Sequence, residues 1–457
     1  MGSRLGTCAM PSSKLRLVLL LLLSSRASTF LVSPTMQNNR KRPRCKASTV
    51  ESFESSSSDP LASPSSSASC PFSRVFPRYR VDLSTSREDK KKSGPLSVAI
   101  FTDLTKTWDQ AKLTRANPGI NIQWLKGLNG VEATAALWRR TADLASGSND
   151  SVLLALPDAT PKIVRQWTDT VQWMHAHQQL NNNNDDGGIE AVYDDSILPT
   201  VRLRRRQRQD PDPSLTTRLI DIQDPAVVEK RMQSWVQRIL VNLGICPFTK
   251  SITYSGQGLS DLNVPVARIA YHTSNAVEIP SLLADAWEAI RDMVLAGPSG
   301  KQGISSILLA APAFDDDFDL WSGPVFAMLE AGVLAAGIER EIGIVCFHNQ
   351  YATPDGSSWP GFGHMHSVPR LQQWLSVQDP TTADSLDTEE VAAGGAWQRR
   401  TPHATINVLR AEQLEAAEGR RTTGELYSEN IRKLVGKSDG IGSDQLQRDL
   451  DRERSMI

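Results

Sequence analysis

The chain has 457 residues, with 50 Lys+Arg against 51 Asp+Glu and a formal net charge of -1. That balance hides an uneven distribution: residues 1–98 hold 16 basic and 6 acidic side chains, so the acidic excess lies beyond them. Hydrophobic residues at 40% and charged residues at 22% exclude a collagen, a coiled coil and a disulfide-dense scaffold, and the length allows two or three domains.

Lys14 and Arg16 precede an apolar run, Leu17–Leu23, which is followed by Ser24, Ser25, Ala27, Ser28 and Thr29. A basic region, a short apolar region and small residues make residues 1–29 a signal peptide. The run is too short for a permanent membrane span. Phe30 opens an acid-free stretch with Arg40, Lys41, Arg42, Arg44 and Lys46, and Ser then dominates to residue 68. Residues 30–68 therefore read as a transit peptide and a disordered Ser-rich linker. The order of the parts, with Ala27-Ser28-Thr29-Phe30 at the joint, resembles the bipartite presequence of secondary plastids. Ordinary secretion is the alternative. Of the cysteines, Cys8, Cys45, Cys70, Cys246 and Cys346, the first two fall in the presequence, and the rest make no disulfide framework.

Residues 69–208 form an N-terminal unit. Arg78–Leu83 and Ser97–Thr102 read as strands, as do Ile120–Leu125 and Val152–Leu156; Val131–Leu144 and Lys162–His177 have helical spacing. A low-complexity loop, 181–188, precedes a strand at Ile189–Tyr193. A basic block, Arg202 to Arg208, runs into a linker at 209–220. Without interleaved aromatics it gives no specific nucleic-acid signal, and the acidic balance beyond residue 98 points the same way.

A C-terminal domain spans 221–436. Asp224 and Pro225 suit the N-cap and first position of a helix that stops at Gly244. Strands follow at Ala267–His272, Ile304–Ala311, Glu341–His348 and Thr405–Leu409. Helices fall at Pro280–Val294, Leu320–Ala336 and Glu412–Glu418. Residues 376–395 read as an acidic, Ala/Gly-rich loop and 437–457 as a polar tail. The alternation gives an α/β class of mostly parallel βα units. Matching stretches, among them Cys70–Arg74 with Cys246–Lys250 and Ser151–Pro157 with Ser306–Pro312, indicate two related copies. In this alignment Gly188–Tyr193 falls on Gly343–His348, so Tyr193 stands where the second copy has His348.

Chemistry-bearing residues concentrate at element ends of the C-terminal domain. Cys246 follows a helix C-terminus, which disfavours a thiolate unless Lys250, a His or a metal is near. His348 closes an apolar strand on the face of Ile342, Ile344 and Cys346. His403 follows Arg399 and Arg400. His364 and His366 flank Met365; with Cys246, His348 and His403 they are numerous enough for a metal site but make no zinc pattern. Asp315, Asp316, Asp317 and Asp319 fit either a Mg²⁺ loop or an acidic helix start. No phosphate-binding Gly loop and no nucleophile elbow is present, so no cofactor is assigned.

Ile245 to Lys250, Phe347-His348 with Tyr351, Pro312 to Phe318 and Arg400 to Arg410 together resemble the domain of unknown function 1415 family, over about residues 225–436. That family carries no assigned reaction. Its pattern has Pro where Asn349 stands, Tyr at His403, Pro at Ala404 and His at Asn407. The resemblance implies a pocket with Cys246, His348 and His403 as catalytic candidates, and with Lys250, Tyr351, Arg400 and Arg410 holding an anionic small molecule. A non-catalytic binding or assembly module is the rival expectation.

Overall fold

The computed structural model describes residues 94–147, 150–181, 188–205, 223–298, 302–357, 363, 365–420 and 422–457. The presequence, the Arg78–Leu83 strand, Cys70, most of the 181–188 loop, Arg206, Arg208, the 209–220 linker and His364 lie outside them. The described residues all fall in one compact unit, Arg87–Ile457.

The first sheet is built from β1 (Ile122–Trp124), β2 (Ser151–Ala155), β3 (Ile189–Asp194) and β4 (Thr200–Arg205), in the order β1-β2-β4-β3. Three helices accompany it: α1 (Gly94–Ala116), α2 (Gly130–Ser146) and α3 (Pro161–Asn181). The second sheet has β5 (Tyr254–Ser255), β6 (Ala267–Thr273), β7 (Ile304–Ala310), β8 (Ile342–Phe347) and β9 (Thr405–Arg410), in the order β5-β6-β7-β9-β8. Both sheets are mixed. β1 and β2 are parallel, as are β6 and β7, whereas the last strand of each set enters antiparallel between two others. The expectation of mostly parallel units is corrected here. β3 and β4 are neighbours joined by a short hairpin, which only antiparallel strands allow. The registers of the two sheets also correspond: Ala155 faces Thr200 as Ala310 faces Thr405.

A shared helix layer lies between the sheets. α2 packs along α5 (Ile279–Ala296), and α3 packs on α6 (Phe326–Ala336). One buried cluster runs from Leu154 and Leu203 through Trp138, Trp167, Trp287 and Phe326 to Ile307, Ile344 and Val408. Arg139 crosses the layer and donates to Asp285 at 2.9 Å and Glu288 at 2.8 Å. The apolar stretch entering α6 is used inward: Trp321, Val325, Phe326 and Leu329 are all buried.

The outer face of the second sheet has its own cover. α4 (Pro225–Trp235) begins with Asp224 accepting from the Ala226 N–H and continues as a π-helical turn, Val236–Asn242. It is joined by α7 (Val368–Gln378), α9 (Thr388–Trp397), α11 (Thr423–Val435) and α12 (Ser443–Arg454), with α8 (Pro380–Ser385) and α10 (Ala411–Arg420) at the edges. Their buried residues form a second cluster with Ile269, Leu308, Val345, Phe347 and Leu409 of the sheet.

Three local expectations are corrected. Ser97–Thr102 is part of α1 rather than a strand; so short an apolar run has no period that separates the two. Residues 376–395 are helical. Their acids serve as caps, Asp379 for α8 and Asp387 in a capping box with Glu390. Their glycines permit contact, since a Cβ on Gly394 would stand 2.9 Å from Val435 Cγ2. The polar C-terminus after Glu418 forms α11 and α12, and Leu446 and Leu450, one turn apart, are buried on the outer cluster.

The helix layer is tightest where α6 meets α5. A Cβ on Gly332 would stand 2.5 Å from Cζ2 of the fully buried Trp287. Gly332→Ala should therefore destabilise the protein by about 1–3 kcal/mol despite its better helix propensity. Denaturant unfolding monitored by tryptophan fluorescence checks this, and an unchanged midpoint would contradict the packing.

Candidate functional site

The outer face of the second sheet is not completely filled. A cavity of ≈ 190 Å³ remains between it, the π turn after α4, the Cys246 loop and α11. Its floor carries Leu308, Val345, Phe347 and Leu409, interrupted by Ser306 and Asn407. These two polar residues lie on adjoining strands, and Ser306 donates to Asn407 Oδ1 at 2.8 Å. Each is part-exposed although the residues on either side of it along its strand are buried. The cavity is what exposes them.

Cys246 reaches the cavity because the preceding helix stops sharply. Gly244 takes a positive φ of 62°, a conformation natural to glycine. The chain then turns under α11, where Asn430 donates to the Ile245 carbonyl at 3.2 Å. Cys246 Sγ lies 3.2 Å from Thr249 Oγ1. Burial pushes the Cys246 thiol up, a shift that Thr249, two backbone N–H groups and nearby Lys250 only oppose. The group is thus held as a thiol.

Arg399 is buried against the same cavity. It donates to the Gly363 carbonyl at 3.2 Å and to the Tyr427 hydroxyl at 2.7 Å, and its guanidinium lies 5.6 Å from the Phe347 ring centroid. Gln398, Asn430, Gln413, Tyr427 and His366 complete the polar wall. Asn430 Nδ2 donates to Gln398 Oε1 at 2.9 Å, while its buried Oδ1 meets no donor among the described residues. No Asp or Glu is among the described lining residues.

The residues singled out in the sequence separate in space. Cys246 lines the cavity; His348, His403, Tyr351, Arg400, Arg410 and Lys250 do not. His348 and His403 both grip the loop after β7. His348 Nε2 is 3.0 Å from the Phe314 carbonyl and its Nδ1 accepts from Gln350 N–H at 3.0 Å. His403 Nδ1 is 2.9 Å from Asp315 Oδ2, and Asp315 Oδ1 accepts from the Ala404 N–H at 2.7 Å. Arg231 Nη1 stands 3.3 Å from His403 Nε2, a position a substrate proton would need. Tyr351 is buried beside Phe318, with its phenol pushed up by burial. Arg400 donates to the Tyr351 carbonyl at 3.1 Å and stacks over Trp397. Arg410 donates to the carbonyls of Ile304, at 2.9 Å, and Met293, at 2.6 Å. Lys250 is exposed.

In the sequence Asn407 stands out only as a departure from the family pattern and Arg399 only as part of the basic segment before His403, while Ser306, Gln398, Gln413, Tyr427 and Asn430 belong to no segment read as a site. The available signal was a polar residue at an outward position of an otherwise apolar strand, met at both Ser306 and Asn407. Of the described members of the mixed metal set, Cys246 and His366 line the cavity, and His348 and His403 do not. Among the described residues, no three of His, Cys, Asp and Glu gather closely enough to hold a metal ion.

Residues 227–359 match the family described as "Protein of unknown function (DUF1415)". The match takes in Cys246, Ser306 and His348 and ends before Arg399 and Asn407. No curated protein and no solved structure matches the chain.

Two outcomes follow for the residues outside the cavity. Arg410→Met should lower stability by about 2–4 kcal/mol, because two buried carbonyls lose charge-assisted donors; urea unfolding measures it, and a stable variant would contradict the clamp. Burial pushes His348 below its ordinary value, partly opposed by its bond to Phe314. The unfolded chain then takes the proton first, so stability present above about pH 6.5 is lost as pH falls. Comparing urea midpoints at pH 7.5 and 5.5, His348→Asn should show a smaller loss than the unmutated protein.

Proposed function

We propose that the C-terminal domain is a small-molecule-binding domain whose ligand is a small organic anion held in the outer-face cavity. One observation carries this reading: a cavity with mainly apolar walls whose described lining residues include a buried arginine and no carboxylate. Arg399 already donates to the Gly363 carbonyl and the Tyr427 hydroxyl, both neutral groups, so its positive charge remains at the wall and favours an anion there. Lys250, close enough to Cys246 to act on its thiol, adds positive potential at that side. The volume, ≈ 190 Å³, lies below the usual range of drug-sized and cofactor pockets. That suits a short acid rather than a nucleotide.

Binding is favoured over thiol catalysis. Cys246 is held protonated, and the buried histidines of the sheet are committed to the loop after β7. The catalytic reading keeps one supporting observation, that Cys246 and His366 line the same cavity. The presequence pattern of residues 1–68 supports a plastid location, with secretion as the rival.

We also infer that the two sheets are related copies. Apart from the extra edge strand β5, the order and senses of the strands match, and the corresponding Ala–Thr pairs also support it. On this alignment the register sets Tyr193 on Cys346, two residues from the His348 expected from sequence: Tyr193 faces Val201, and Cys346 faces Ile406. Cys70 lies outside the described residues, so the match of Cys70 with Cys246 rests on the sequence alone.

The anion reading is checked by alkylating the full chain with iodoacetamide and following the Cys246 peptide by mass spectrometry. Millimolar hexanoate should slow the reaction several-fold and raise Tm, and 1-hexanol should do neither. If no acid from acetate to octanoate does either, the cavity is not an anion site.

A further inference from the structure

Arg399, over Phe347 of β8, and Asn407, on β9, are two separate polar points of the cavity. Arg399 donates to the Tyr427 oxygen. A phenol whose oxygen already accepts from a cation is a stronger donor through its own proton. The other point is Asn407. Its Oδ1 is taken by the Ser306 hydroxyl, so Nδ2 is the group left to donate, and it has no hydrogen-bond partner among the described residues. Asn407 is part-exposed in the middle of β9, between Ile406 and Val408, which are fully buried.

The sheet sets the separation of these points. Asn407 stands opposite Val345, and Phe347 is two residues further along β8 on the same outward face. Two residues of strand span about 7 Å. The described lining contains one permanent charge, at Arg399. A ligand reaching both points therefore has its charge at one of them only. A second carboxylate at Asn407 would be desolvated without a cation to offset it.

We infer that the ligand is a short-chain carboxylate carrying an uncharged acceptor oxygen, of the oxo-acid class, about 7 Å from its acid group. The acid lies against Arg399 and Tyr427, and the oxo oxygen accepts from Asn407 Nδ2. This rests on the reading that the cavity takes a small anion. Asn407 then acts as the specificity-determining residue, and Ser306 as its positioning residue, holding the amide with its donor toward the ligand.

The test compares hexanoate with 5-oxohexanoate on the full chain by isothermal titration calorimetry. The unmutated protein should bind the oxo acid about three- to tenfold more tightly, the worth of one neutral hydrogen bond. Asn407→Leu, which removes the donor at similar volume, should bind both acids alike, near the hexanoate affinity. Tyr427→Phe should weaken both acids and keep the preference. Equal binding of the two acids by the unmutated protein overturns the inference while leaving the anion site standing, and that comparison decides even if Asn407→Leu does not fold. A preference that survives in Asn407→Leu overturns it too. If neither acid binds the unmutated protein, the anion reading itself fails and takes this inference with it.

Discussion

The second sheet must be covered on both faces, and the rest of the structure follows from how that is done. β8 has every residue buried, with Ile342, Ile344 and Cys346 on one side and Val345 and Phe347 on the other. A sheet that is apolar on both faces exposes a large hydrophobic area unless two layers flank it. The inner layer is shared with the first sheet through α2, α3, α5 and α6. The outer layer is assembled from segments far apart in sequence, α4 before the sheet and α7, α9, α11 and α12 from its second half.

Such an assembly leaves a gap where the floor is polar. Leucine at positions 306 and 407 would be in keeping with their neighbours and would close the outer face. Serine and asparagine there hydrogen-bond to each other and keep an opening. Part of the wall is a π turn, a local irregularity frequent at functional sites. The polar wall around Arg399 and Asn430 is costly to bury with an acceptor unmet among the described residues. These features agree with a site that is completed by a ligand.

Histidine and arginine residues that looked chemical in the sequence mostly serve the frame. Those at 348 and 403 fix the loop after β7 from two strands, and Arg410 ties the end of α5 to the start of β7. Their conspicuous spacing reflects the antiparallel meeting of β8 and β9, which brings the end of one strand beside the start of the other. The same meeting places Phe347 and Asn407 on the floor of one cavity.

Much of the fold was legible in the chain. The periodicities of Val131–Leu144, Lys162–His177 and Pro280–Val294, the Asp224-Pro225 start and the Gly244 stop each rest on local rules of spacing and capping, and each has its element in the structure. The Ser151 and Ser306 stretches each contain a strand, β2 and β7. What the sequence could not determine was which strands pair antiparallel, that an acidic Gly-rich stretch would be helix, and which polar residues share a cavity. The shared cavity depends on contacts between segments more than 100 residues apart, such as Ser306 with Asn407 and Ile245 with Asn430. No local period encodes such contacts. Only the closing of the outer layer over the sheet brings Cys246, Arg399 and Asn407 to one place and leaves His348 and His403 in another.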